Sequence, residues 1–477
     1  MSTFVSLGKR REFRLRVVKA EAKAESFQND AMKQISSQPK RFDPGATLSA
    51  DLRRSSLLAM GSVGASVFTT FFSLVATVLI LRFLPSDEAG KFAVLVELLY
   101  GLGLLGSLGQ AVLQARLYHQ APPAHFDWWA DLRSTIWITA PTVGLAVLAV
   151  AFPYRLTTFQ MSFLFIGAEL FVLTTCLSMV LAQQRHYAWS SALLRLPNGL
   201  LIFPALLMLV RPSLVRLEFI LISLLAFLAL TTLLGAGLLW RRLERGRAQM
   251  TLRQRLDGLV LFVSHVAVLI PQRGLIVVAG AMLAPENVAA LAALVALLRV
   301  FDLIGDPAGR VFSTEMARHS SRIGFGLFAA PWLLAAILAA AVLIGFPQLT
   351  HHFYAGRYDF AVPFLPWLVL AAALRLVEIV PRGVLAYLAS RPLLNRFSFI
   401  QCAIAIGGIV LMMKWTADHG FSGILYAYTL IVAARTIVSY LFLGKVLKVS
   451  RQTDRSAETG EGVLVEPFQA GGQEPPI

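Results

Sequence analysis

The chain has 477 residues, 57% of them hydrophobic and only 15% charged, with a mean hydropathy of +0.67. That balance excludes a water-soluble globule, in which roughly a quarter of residues are charged. A formal charge of +16 would suit a nucleic-acid partner, but the Lys and Arg residues fall mainly in alternate links between apolar runs, which argues for membrane topology and no nucleic acid.

Residues 1–55 form a polar, basic tail carrying Lys9, Arg10, Arg11, Arg14, Arg16, Lys19 and Lys23. No apolar core of a cleaved signal peptide lies in this stretch. The basic run suits either an interfacial helix on an anionic leaflet or a disordered tail that sets topology. The first apolar run, 57–81, would then act as a signal-anchor.

From Ser56 to Tyr118 the pattern predicts two membrane helices, 57–81 and 91–114, joined by a tight polar link from Arg82 to Gly90 with Pro85 near its start. Each run can cross a hydrocarbon core of about 30 Å. The unit recurs: shifted by 199 positions, Leu84, Ala93, Leu95, Val96, Leu98, Leu99, Leu104 and Gly106 meet Leu283, Ala292, Leu294, Val295, Leu297, Leu298, Leu303 and Gly305. Such a period is what a two-lobed transporter shows.

Further spans are predicted at 134–153, 159–182, 190–210, 217–240, 258–283, 287–308, 324–346, 361–388, 397–414 and 421–444, making twelve. Arg195 interrupts the fifth, and the seventh and eighth run together. The expected fold is an all-α integral membrane protein with two parallel six-helix lobes around a central cavity. The lobes are 56–250, including a basic linker at Arg241–Arg255, and 251–444; residues 445–477, rich in Gly, Glu and Gln, read as a disordered tail. Even-numbered links hold most arginines, whereas odd ones hold only Arg82, Lys91, Arg155, Arg211, Arg216, Arg357 and Lys414. The bias puts both termini in the cytoplasm.

The stretch Leu81–Leu95, "LRFLPSDEAGKFAVL", followed by "GSLGQAVLQ" over Gly106–Gln114, resembles the first hairpin of polysaccharide-unit flippases. These belong to the multidrug/oligosaccharidyl-lipid/polysaccharide exporter superfamily. Leu84 stands where that family commonly has Gly, and Ala89 where it has an aromatic residue. The resemblance implies a flippase of the bacterial inner membrane that carries a polyprenyl-diphosphate-linked oligosaccharide outward for surface polysaccharide. It also implies membrane lipids around the protein, with a polysaccharide polymerase and a chain-length regulator as partners.

Ionisable residues deep in membrane helices are costly and normally face a bundle interior or aqueous cavity. Arg273, Arg299, Arg375, Arg382 and Arg435 qualify, all in the second half; the first half offers Glu97 and Glu169. Arg375, Glu378 and Arg382 share one helix face and can pair internally, as can Arg299, Asp302, Asp306 and Arg310. Arg273 and Arg435 have no acid within four residues. They either pair across helices with Glu97, Glu169 or Glu378, or stay open for a phosphate, which a guanidinium grips bidentately. All five arginines are candidate substrate contacts. Glu97 and Glu169 are candidates for ion coupling or buried structural carboxyls.

Pro204, Pro271, Pro381 and Gly274 are positions where helices can kink. Trp128, Trp129, Trp240, Trp332 and Trp415 suit interfacial anchors, and Cys176 and Cys402 small buried hydrophobes. His351, His352 and Tyr354 fall in an expected outer link without the convergent ligands of a metal site. No Walker motif or cofactor motif is present. A drug/cation antiporter would favour acids over five arginines in its cavity. A membrane glycosyltransferase, ligase or polymerase would carry larger outer links.

Overall fold

A computed structural model describes residues 46–110, 113, 127–183, 186–211, 216–240, 250, 255, 262, 273–318, 326–389 and 391–459. The chain divides into two units, Met1–Leu57 and Leu58–Ile477, and the bundle belongs to the second. The basic run of residues 9–23 and most of the Arg241–Arg255 linker lie outside the described residues.

Helix α1 (Ala46–Phe83) begins inside the expected tail and ends just ahead of Pro85. Pro85 lacks an N–H and disfavours helix at Leu84, so the link shrinks to Leu84-Pro85. Its acidic part instead opens α2 (Ser86–Gly106), placing Asp87 and Glu88 in the first turn, where the helix dipole is positive. Left-handed Leu108 (φ 45°) and Gly109 (φ 73°) stop α2 short of the expected Gln114.

Helix α3 (Trp128–Tyr154) starts six residues ahead of expectation because Asp127 caps it, accepting from the Ala130 N–H at 3.0 Å. Before α4 (Thr158–Gln183), Thr157 and Gln160 form a reciprocal capping box. The fifth span is α5 (Tyr187–Leu200) plus α6 (Ile202–Val210), broken at Leu201. Pro204 explains the position of the break, since it cannot donate to Leu200. Arg195, the expected interruption, stays helical and donates to Thr70 Oγ1 at 2.9 Å. Helix α7 (Leu217–Trp240) closes the first half.

In the second half, α8 (Arg273–Met282), α9 (Pro285–Arg318) and α10 (Gly326–Tyr354) are followed by a 3-10 turn (Asp359–Phe364) and α11 (Leu365–Leu388). Helix α12 (Arg391–Thr459) is two spans meeting at Gly420 (φ 59°, ψ −131°), a conformation open only to glycine. It continues through Thr459, so residues 445–459 are helical, contrary to the disordered tail expected there. His351, His352 and Tyr354 form the last turn of α10, not a link.

Among the described residues, nine stretches are long and apolar enough to cross a membrane, and Pro392–Leu447 at 56 residues crosses twice. Helix α9 and the ten described residues of α8 occupy the places of the expected eighth and seventh spans. The repeat is structural as well: α1 ends at Phe83 and α8 at Met282, while α2 begins at Ser86 and α9 at Pro285, each pair offset by the 199 positions seen in the sequence. Both turns lie at one end of the bundle, hereafter the hairpin end. There a Cβ on Gly90 would collide with the Pro285 backbone, so glycine lets the two helix starts touch. Farther along, Gly280 admits Val94 in the same way. Helix α2 thus packs on α3, α4 and, across the halves, on α9; α11 packs on α9, α10 and α12.

Trp129 and Trp240 pair their rings at 5.3 Å, and Trp240 and Trp332 are exposed as anchors should be. Trp128 is not an anchor: it is 1% exposed, packed with Cys176 and Leu132 inside the first half.

Candidate functional site

The seam between the halves carries charge at mid-bundle. Arg273 of α8 donates to Glu97 Oε2 of α2 at 2.5 Å, and its guanidinium lies 5.2 Å from the Tyr100 ring centre. Arg299 of α9 approaches the other oxygen of Glu97 at 3.9 Å and donates to Ser73 Oγ of α1 at 3.4 Å. Two arginines of the second half therefore share one carboxylate of the first. Glu97 is 7% exposed, but Arg273 and Arg299 remain 30% and 24% exposed. Tyr100 is fixed by donation to Asn198 Oδ1 at 2.9 Å and an edge contact with Phe171. A rigid aromatic face thus orients the Arg273 fork.

A second ion pair lines a cleft inside the second half. Arg375 of α11 donates to Asp302 Oδ1 of α9 at 2.9 Å. Leu275, Ile276, Val295, Leu298, Leu368 and Tyr428 line the cleft with them. The expected intrahelical ladders do not organise these charges. Asp302 turns to Arg375 rather than to Arg299, and Glu378 turns to α12. Asp306 and Arg310 lie outside the residues whose side chains are described.

Arg435 is closed in. Its Nε donates to Gln401 Oε1 at 2.7 Å and its Nη2 to Glu378 Oε1 at 3.3 Å, while Ser439 also donates to Glu378. Gln401 returns bonds to the Arg435 carbonyl and Ser439 Oγ. The two charged side chains are only 4% and 3% exposed, so a ligand would reach Arg435 only if this network opened. Arg382 is half-buried and has no ion-pair partner among the described residues.

Glu169, on α4, forms no ion pair with any of these arginines. Thr139 of α3 donates to its Oε2 at 3.0 Å, and its Oε1 is buried without a hydrogen bond among the described residues. The cross-helix reading of Arg273 and Arg435 thus resolves to Glu97 and Glu378. Glu169 retains an open acceptor.

Sequence reasoning missed a further buried pair. Asp131, fully buried in the first turn of α3, accepts from Arg255 Nη2 at 2.9 Å and from the Met250 N–H at 3.2 Å. Gln110 and Arg255 bond each other through side chain and carbonyl. The far end of the basic linker is therefore clasped against the first half and not solvated. The available signal was an acid at the start of a span beside otherwise basic links. Among the described residues, no group of His, Cys, Asp and Glu converges as a metal site would require.

No known protein-family profile matches the chain, and no curated protein matches it by sequence. Solved structures do match in fold. A multidrug resistance MATE family transporter of the MOP superfamily, in an inward-facing conformation, superposes with a TM-score of 0.57 at 12% identity, covering 82% of this chain and 99% of its own. The lipid II flippase MurJ, in an inward closed conformation, gives 0.57 at 12% identity over 80% of this chain and 86% of its own. The MATE multidrug transporter DinF-BH gives 0.56 at 12% identity, covering 82% of this chain and 95% of its own. The chain has the fold of these membrane proteins over four fifths of its length.

Proposed function

We propose that the chain is a secondary transporter that flips a polyprenyl-diphosphate-linked oligosaccharide from the cytoplasmic to the outer leaflet for surface polysaccharide assembly. The observation that carries this reading is the shared carboxylate: Arg273 and Arg299 contact one Glu97 at the seam between the halves. One positive charge is left uncompensated there, on planar forks suited to phosphate oxygens. Arg382, and Arg375 once released from Asp302, would extend the cationic path, with the glycan in the seam and the lipid tail in the bilayer. Fold neighbours that include a lipid II flippase support the substrate class. The loop-charge bias supports cytoplasmic termini in a bacterial inner membrane, so the hairpin end faces outward. A polysaccharide polymerase and a chain-length regulator would act on the product.

A second reading is a drug/cation antiporter. It is favoured by the open, buried oxygen of Glu169 and by the multidrug transporters among the neighbours. Proteoliposomes separate the two. The flippase reading predicts transfer of a fluorescent polyprenyl-diphosphate oligosaccharide between leaflets and no gradient-driven movement of a hydrophobic organic cation. The reverse result selects the antiporter.

A further inference from the structure

At the hairpin end the second half grips the first through two adjacent side chains, Arg357 and Tyr358. Helix α10 ends in a cap with Ala355 (φ 53°) and Gly356 (φ 77°) left-handed, and the Gly356 N–H returns to the His351 carbonyl at 3.0 Å. His351 Nδ1 and Asp359 Oδ2, 2.7 Å apart, staple the turn from outside. This cap aims Arg357 and Tyr358 across the seam. Arg357 donates to the carbonyls of Leu81 (3.2 Å), Arg82 (3.1 Å) and Leu84 (2.6 Å) and to Ser86 Oγ (2.7 Å).

These carbonyls close α1, where helix geometry leaves acceptors unpaired and the dipole is negative. The two hydrogens of Nη1 are shared among the three carbonyls while Nη2 reaches Ser86, so one planar guanidinium ties them together. Tyr358, 1% exposed, adds a bond to the Leu81 carbonyl at 2.8 Å. Its phenol, raised by burial further above its ordinary value, is a donor at neutral pH. Beneath lie Leu81, Leu84, Ala89, Val288, Ala289 and Tyr354, all almost fully buried. Arg357 is also one of the few basic residues in the odd-numbered links, where charge is otherwise sparse.

We propose that Arg357 is the gate residue of the hairpin end: it latches the second half onto the C-terminus of α1, and its release is required before the seam opens to that side. The proposal rests on the transporter reading, which supplies the need to open.

The test reads opening without transport. In a Cys176→Ala/Cys402→Ala background, Val94→Cys places a thiol at the seam against Gly280, below the latch. A membrane-impermeant maleimide is added from the hairpin side of membrane vesicles. With Arg357 present, labelling is slow. Arg357→Ala is expected to speed it by about tenfold or more by shifting the closed population, and Arg357→Lys by less. Ser86→Ala removes one bond and gives a smaller rise. Arg82→Ala, which changes only an exposed side chain, gives none. Labelling unchanged in Arg357→Ala, or in both Arg357→Lys and Ser86→Ala should the alanine variant not fold, overturns the proposal. If labelling responds as described but the parent protein moves no lipid-linked glycan, the latch stands and the transport reading fails.

Discussion

Glu97 accepts from Arg273 at 2.5 Å across 176 residues of sequence, joining α2 of one half to α8 of the other. Its second oxygen faces Arg299, so the carboxylate holds the place an anionic ligand would take. Glu97→Gln keeps the shape but removes the competing charge. Diphosphate-lipid binding should then tighten by about tenfold, the worth of one charge-assisted hydrogen bond. Turnover should fall, because release slows. Weaker binding in Glu97→Gln would mean that Glu97 only positions the arginines.

The Arg435–Glu378 pair is predicted to be structural. Breaking a buried pair on one side leaves an uncompensated charge, and Glu378→Ala should cost about 3–5 kcal/mol. Replacing both partners, as in Glu378→Met/Arg435→Met, should recover most of the loss in thermal unfolding of the detergent-solubilised protein. A double variant that is stable and still binds the diphosphate lipid places Arg435 outside the ligand site. One that is stable but loses binding places it inside.

The two helix starts at the hairpin end should tolerate no added bulk. Gly90→Ala drives a Cβ into Pro285 backbone atoms that cannot rotate away, and overpacking of this kind costs about 1–3 kcal/mol. Gly101, on the same helix, has no heavy atom within 4 Å of its built Cβ. Gly101→Ala should therefore be neutral or gain up to about 1 kcal/mol in helix propensity. Melting temperatures of the two variants, compared directly, check the packing.

We propose that the carboxyls of the first half carry any ion coupling. Glu169→Gln preserves an acceptor for Thr139 while removing the group that could carry a proton or cation. Flux through Glu169→Gln in proteoliposomes should lose its response to an imposed pH or sodium gradient, while substrate binding remains. An unchanged response in both Glu169→Gln and Glu97→Gln removes them from the mechanism.

Much of this arrangement is legible in the sequence, because a bilayer dictates apolar length and because the 199-residue offset survives in both composition and helix ends. Helix boundaries were less legible. They were moved by single local devices: Pro85 shortening the first link, Asp127 advancing α3, Leu108 and Gly109 ending α2, and Gly420 dividing α12. Pairing was the least legible. Spacing rules report only neighbours on one helix, so Arg375 was offered a ladder with Glu378 and not its cross-helix partner Asp302, whereas Glu378 takes Arg435, one of the cross-helix pairings the sequence left open. Asp131 escaped notice because its one local signal, an acid at the start of a span, does not point to Arg255 124 residues away.

The central claim is that the seam arginines recognise a lipid diphosphate. Its most direct test is leaflet transfer of a fluorescent polyprenyl-diphosphate oligosaccharide in proteoliposomes containing the parent protein, Arg273→Ala, Arg273→Lys or Arg299→Ala at equal incorporation. Transfer by the parent, near-complete loss in Arg273→Ala, partial rescue in Arg273→Lys and a marked decrease in Arg299→Ala are the results predicted. Transfer at the parent rate in both alanine variants would contradict the account, since the two cations that the halves share through Glu97 would then have no part in moving the substrate.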